Sequence, residues 1–317
     1  MKNKRLISAG LITLFLVLMV VNIYGVTDIL TLDLVRDREN PESRKKIAEI
    51  VLNDAGVSDQ YQPEEVMSIR TFYGDLTGDN NEDLVIVTEI GPTVSYISAY
   101  AQDGNNFTFL DSIGPMATIE NLELTKAPSL DRDFIVVREN INQKIGAFEN
   151  STYYKFYIWD NENLREAGVL PERVRTDWNL AWDSQNQTSP SDWRRIDMDA
   201  DIAIQDPVNS ELLITLYQRY LKSSDTANKS VPADDTYSVI AERTIPATLK
   251  WSPEWLYFIV SEKIDNATGE KVAVIEDMAY SPYALVPEYS DTTKNKYRIL
   301  RKDGTQEIVD KGSVRDI

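Results

Sequence analysis

The chain of 317 residues contains no histidine and no cysteine. Without imidazole there is no Ser-His-Asp or Cys-His nucleophile pair, no imidazole proton shuttle and no His-ligated zinc. Without thiols there are no disulfides, no thiolate metal site, no iron–sulfur cluster and no lipid-modified cysteine. Basic residues are scarce beside acidic ones, 33 against 51, which leaves a net charge of −18. Nucleic-acid binding runs on phosphate neutralisation by clustered Lys and Arg, so this balance argues against a nucleic-acid partner. No low-complexity tract and no fixed-period repeat is present. What survives is carboxylate chemistry: hard oxygen-ligand cations, two-carboxylate catalysis, or plain binding.

One long charge-free run stands at the N-terminus. Residues 1–5 form a basic flank with Lys2, Lys4 and Arg5, and Leu6–Val26 then carries no charge over 21 residues. At about 1.5 Å rise each, that run matches a hydrocarbon core of about 30 Å. It predicts a transmembrane signal-anchor helix at 6–26. The basic flank keeps the N-terminus cytoplasmic, so the rest of the chain lies outside the plasma membrane. The alternative is a cleaved signal peptide and secretion, although Ile23 and Gly25 make a poor small-residue cleavage site. Setting the three leader cations aside takes the net charge from −18 to −21. A domain that acidic stays soluble and stands off from anionic polymers.

Residues 27–61 read as a juxtamembrane segment with one amphipathic helix at about 41–55. Asn40 caps it, Pro41 takes its first position, Glu42 lies in its first turn, and Gly56 closes it. Ile47, Ile50 and Val51 supply its apolar stripe.

From 62 to 317 the character is β. Runs such as VMSIRTFY (66–73), DLVIVTEI (83–90), VSYISAYA (94–101), YYKFYIW (153–159) and KVAVIED (271–277) are rich in β-branched and aromatic residues. Gly, Pro, Asp and Asn clusters separate them. The spacing predicts a mainly β, extracytoplasmic domain, either β-propeller-like or an antiparallel sandwich. Two stretches admit a helix instead, Glu211–Lys222 and Trp255–Lys263. Residues 183–192 and 222–236 read as surface loops.

One loop carries chemistry. Asp75, Thr77, Asp79, Asn81 and Asp83 place oxygen atoms at alternate positions, and Gly78 supplies a permissive backbone. A tight loop turns alternate residues inward, so this spacing can wrap several oxygens around one hard cation, and Ca²⁺ accepts six to eight at flexible angles. The EF-hand pattern does not fit, because the glycine is misplaced and the flanks are strands. The stretch at 75–83 resembles instead one copy of an FG-GAP or VCBS-type repeat, the calcium loop of integrin α-chain propellers. The resemblance covers about 15 residues and implies structural Ca²⁺ bound by those five residues within a propeller blade. Thr77 departs from the pattern by replacing a carboxylate or amide. The bland alternative is an acidic turn that needs no ion.

Weaker signals accompany it. Asp197, Asp199 and Asp201 fall on one strand face, as a second metal site or a solvated face. Trp178, Trp182, Trp193, Trp251 and Trp255 could form a sugar platform, but aromatics in β proteins are more often core.

The functional expectation is therefore a membrane-anchored, calcium-stabilised binding or scaffolding protein without catalytic activity, with a protein or cell-envelope partner. Two alternatives stand beside it. One is an extracytoplasmic carbohydrate-active hydrolase using paired carboxylates. The other is a sensory ectodomain acting through a membrane partner.

Overall fold

The computed structural model describes residues 29–317 other than 146, 184–189, 207–210 and 228. The predicted membrane span at 6–26 lies outside the described residues. Among these, no helix is long and apolar enough to cross a membrane.

The domain is mainly β and consists of three curled antiparallel sheets. The first has five strands. In spatial order these are β1 (Leu30–Thr31), β5 (Asn106–Met116), β4 (Val94–Asp103), β3 (Asp83–Ile90) and β2 (Val66–Gly74). Two helices precede β2: α1 (Leu32–Arg36) and α2 (Pro41–Asp54). The α2 cap is the one expected, with Asn40 Oδ1 accepting from the Glu42 amide at 3.0 Å. Its stripe of Ile47, Ile50 and Val51 packs on Leu84 and Ile86 of β3 and on Tyr100 of β4. Within the segment 27–61, Leu30 and Val35 are buried in one cluster with Phe107, so the chain from Leu30 packs on the first sheet.

On the opposite face of β3, Val85 and Val87 pack against residues of the second sheet, among them Ile119, Leu122, Ile135 and Val137. Burial on both faces explains why this strand is a continuous apolar run rather than an alternating one.

The second sheet is an eight-stranded meander. Its strands, each paired with the next, are β6 (Thr118–Lys126), β7 (Asp133–Ile145), β8 (Ala147–Trp159), β9 (Leu164–Asn179), β10 (Trp193–Asp206), β11 (Glu211–Ser223), β12 (Tyr237–Ser252) and β13 (Tyr257–Ile259). It curls into a half-barrel whose concave face gathers Phe134, Leu170, Met198, Leu216, Trp251 and Phe258 into one cluster. The third sheet orders β17 (Gln306–Asp310), β16 (Lys296–Leu300), β15 (Lys271–Asp277), β14 (Ser261–Asp265) and β18 (Val314–Arg315). Between β15 and β16 run two 3₁₀ turns, Met278–Tyr280 and Pro282–Leu285, and α3 (Pro287–Lys294).

No propeller is shown. A propeller closes a blade after four strands, whereas here eight consecutive strands continue as one sheet. Residues 211–223, which admitted a helix, form β11, because both of its edges are laddered and Leu212, Ile214 and Leu216 alternate inward. Residues 255–263 likewise divide between a turn, β13 and β14. The polar stretch 222–236 is a loop ending in a 3₁₀ turn at Asp234–Thr236, and the loop expected at 183–192 lies largely outside the described residues.

Candidate functional site

The five predicted ligands do share one loop, the β2–β3 connection, since Gly74 pairs with Asp83 at its neck. Their carboxylates, however, are turned toward the chain's own amides. Asp75 Oδ1 accepts from Gly78 N (2.7 Å) and Asp79 N (3.1 Å), and its Oδ2 accepts from Asn80 N at 3.1 Å. Asp83 Oδ2 accepts from Leu76 N and Thr77 N, both at 2.9 Å, and its Oδ1 from Gln102 N at 3.2 Å. Asp79 is exposed and accepts from the amide and side chain of Asn81. Gly78 (φ +82°) and Asn80 (φ +65°) take the left-handed conformations that let the backbone wrap these oxygens.

A cation already stands nearby. The Lys126 ammonium lies 3.7 Å from Asp75 and 3.3 Å from Asp133. The Asp133 carboxylate in turn accepts from the Asp75 amide, docking the loop on the β6–β7 connection.

The carboxyl groups differ in proton affinity for local reasons. The bonds from Asn81 hold Asp79 below the usual carboxylate range. Burial pushes Asp83 upward against the opposing pull of its three amide donors. Among the described residues no three acidic side chains converge as a metal site requires.

The acids of β10 sit beside basic and phenolic partners, with Asp199 and Asp201 facing solvent. Asp197 is buried between Arg175 and Arg219, Asp199 lies 3.7 Å from Arg173, and Asp201 accepts from the Tyr217 hydroxyl. Beside them Arg195 and Asp177 form a buried pair at 2.7 Å, with Arg195 stacked 3.9 Å from the Tyr237 ring centroid. This cross-strand ionic ladder ties β9 to β12 on the sheet's outer side.

The tryptophans are mostly core. Trp251 packs edge-on to Phe134 at 4.8 Å, Trp193 is fully buried, and Trp255 is buried while donating to Glu262. Trp178 stacks on Tyr220 at 6.1 Å. The side chain of Trp182 lies outside those described.

What residue patterns alone did not reveal is a cavity of about 700 Å³ over the concave face of the second sheet. Its floor includes Leu170, Val174, Met198, Ile214, Leu216 and Leu249. Its roof is the end of β15 and the two 3₁₀ turns, through Met278, Tyr280, Ser281 and Tyr283. Gln218 Nε2 donates to the Tyr280 carbonyl at 2.5 Å, and so fixes the roof to β11. The volume falls within the range of small-molecule sites, about 300–1,000 Å³.

The wall also carries the charged side chains Lys155, Glu166, Glu276, Asp277 and Arg298. Glu166 accepts from the Tyr257 hydroxyl (2.9 Å) and from Gln306 (3.3 Å). Glu276 pairs with Arg298 at 3.0 Å, and Lys155 lies 2.6 Å from the buried Glu139. Burial pushes the Tyr153 hydroxyl up to about 12, with Glu149 adding to the effect. Burial beside Glu166 drives Tyr257 well above the ordinary phenol range. The last acid on the wall, Asp277, pairs with Lys311 at 2.7 Å. The available sequence signal was the alternation in β10, β11 and β12, but alternation is the same whether an inner face is filled or hollow.

No family model, curated protein or solved structure matches the chain.

Proposed function

We propose that the protein is a non-enzymatic binding module, held outside the cell by its N-terminal segment, that cups a largely apolar small molecule in the half-barrel. The observation that carries this reading is the 700 Å³ cavity with its apolar floor. Apolar concave sites with a few fixed polar groups are the usual form of small-molecule pockets. The matched acids of the wall favour binding over the hydrolase alternative.

The test is titration of the full chain with N-phenylnaphthylamine, an uncharged dye whose fluorescence rises in apolar surroundings. Saturable binding is expected. Leu216→Trp, which pushes an indole into the floor, should weaken it at least tenfold while costing about 1–3 kcal/mol of stability from overpacking. Unsaturable or absent dye binding would overturn the reading.

The calcium component of this proposal rests on the spacing of the 75–83 loop and is separable from the cavity. It predicts that Ca²⁺ raises the melting temperature relative to chelator, and that Asp79→Ala removes the rise. Coincident melting curves with and without Ca²⁺ would end the calcium claim and leave the hydrogen-bonded loop as its own support. Membrane anchoring through residues 6–26 is likewise a proposal, tested by whether the full chain sediments with membranes and is released by cleavage after residue 26.

A further inference from the structure

We propose that the cavity's ligand is a hydrophobic amine, its protonated nitrogen held by Glu166 and its apolar part laid on the concave floor. The inference rests on the cavity being a binding site and adds the chemical class of its occupant.

It begins with the charges on the cavity's own wall, which are Lys155, Glu166, Glu276, Asp277 and Arg298. Four of them already have counter-ions. Lys155 pairs with Glu139 at 2.6 Å, Glu276 with Arg298 at 3.0 Å, and Asp277 with Lys311 at 2.7 Å. Among the described residues, no lysine or arginine pairs with Glu166. The wall is thus left with one uncompensated charge, and it is negative.

Glu166 is held by neutral donors instead. The Tyr257 hydroxyl (2.9 Å) and Gln306 Nε2 (3.3 Å), both on the cavity wall, donate to its Oε1. Burial holds the proton on Tyr257, so the phenol stays a donor to this carboxylate. Among the described residues no protein group donates to Oε2. Tyr257 belongs to β13 and Gln306 to β17, so the carboxylate stands where the second and third sheets meet. On its own strand, β9, Glu166 precedes the floor residues Leu170 and Val174, and one strand carries both the charge and part of the apolar floor.

An ammonium entering the cavity gains an ion pair with a half-buried carboxylate, where the attraction exceeds that on an open surface. Tyr257 also brings an aromatic ring beside the carboxylate, and such rings attract ammonium groups. A neutral head group forgoes the charge, and an anionic one meets repulsion, because Lys155 and Arg298 are already engaged. The floor then takes the ligand's apolar part out of water.

The test displaces N-phenylnaphthylamine from the full chain with three ligands of equal chain length: decylamine, decanol and decanoate. It is run in about 0.15 M salt, which screens distant surface charges. Decylamine is expected to act at a concentration on the order of tenfold below that of decanol, with decanoate weakest. Glu166→Gln, which keeps an acceptor for Tyr257 and removes the charge, should abolish the amine's lead over the alcohol. An undiminished lead in that variant would mean that the chain's general acidity attracts the amine, and would overturn the proposal. Equal or weaker displacement by the amine in the unaltered chain would overturn it too, while the cavity reading stands. That comparison needs no variant to fold. Failure of the dye and all three ligands to bind would instead remove the cavity reading itself.

Discussion

Asp83→Ala is expected to destabilise the domain by about 3–5 kcal/mol, because one buried carboxylate serves three amides. Leu76 N, Thr77 N and Gln102 N all donate to it, and the Asp83 side chain is wholly out of solvent. Alanine strands these donors at the junction of the loop, β3 and β4. Asp83→Asn should cost roughly half as much, since one oxygen remains while the new amide faces N–H groups that it cannot satisfy. The measurement is urea unfolding, read as a midpoint shift at unchanged slope. A loss below about 1 kcal/mol would mean that water replaces the carboxylate freely.

The same residue sets a sign in the pH dependence. Burial raises the folded pKa of Asp83, so the native state holds this proton more tightly than the unfolded chain does. Its contribution to stability is full below the unfolded value of about 3.9 and is lost as pH rises through the folded pKa. The stability difference between the unaltered chain and Asp83→Asn should therefore shrink across that interval. A cation held by Asp83 would lower its pKa and reverse the trend, so the pH profile also reports on calcium.

The second large effect is expected at the outer ladder. Asp177→Ala should cost about 3–5 kcal/mol, the range seen when one member of a buried ion pair is removed. The side chains of Asp177 and Arg195 are 5% and 4% exposed, and the Tyr237 hydroxyl donates to the same carboxylate at 2.8 Å. Removing the acid leaves Arg195 buried with Asp234 alone and strips Tyr237 of its acceptor. Replacing both partners together, as in Asp177→Leu with Arg195→Met, should cost clearly less than the single change. A double variant as unstable as Asp177→Ala would show instead that the pair itself, not the stranded charge, carries the stability.

Much of the fold was legible where one physical cause dominated. The cap and proline at Asn40-Pro41 placed α2 to within a residue, because helix starts follow from local hydrogen bonding. Strand runs were legible because β-branched and aromatic residues cluster between turn formers. Sheet membership was not. Whether β9 and β10 belong to one wide sheet or to successive blades depends on curl and closure, which neighbouring residues do not encode. The loop at 75–83 was correctly placed between two strands, but its acids serve backbone amides, a use that demands the same Asp, Asn and Gly residues as an ion site. The cavity escaped for a different reason. Its floor residues Leu170, Met198 and Leu216 come from three different strands, and each reads in sequence as an ordinary inward position.

The meander has a further consequence, for the rate at which the domain assembles. Of the fifteen strand ladders among the described residues, only β1–β5 and β14–β18 join strands that are not consecutive. The others join consecutive strands, most of them across short connections, so little chain entropy is lost before those contacts form. The half-barrel can grow hairpin by hairpin in either direction, without waiting for distant segments to meet. Folding should accordingly be fast for an all-β domain of this length, with the slow steps reserved for the two ladders that tie the ends in.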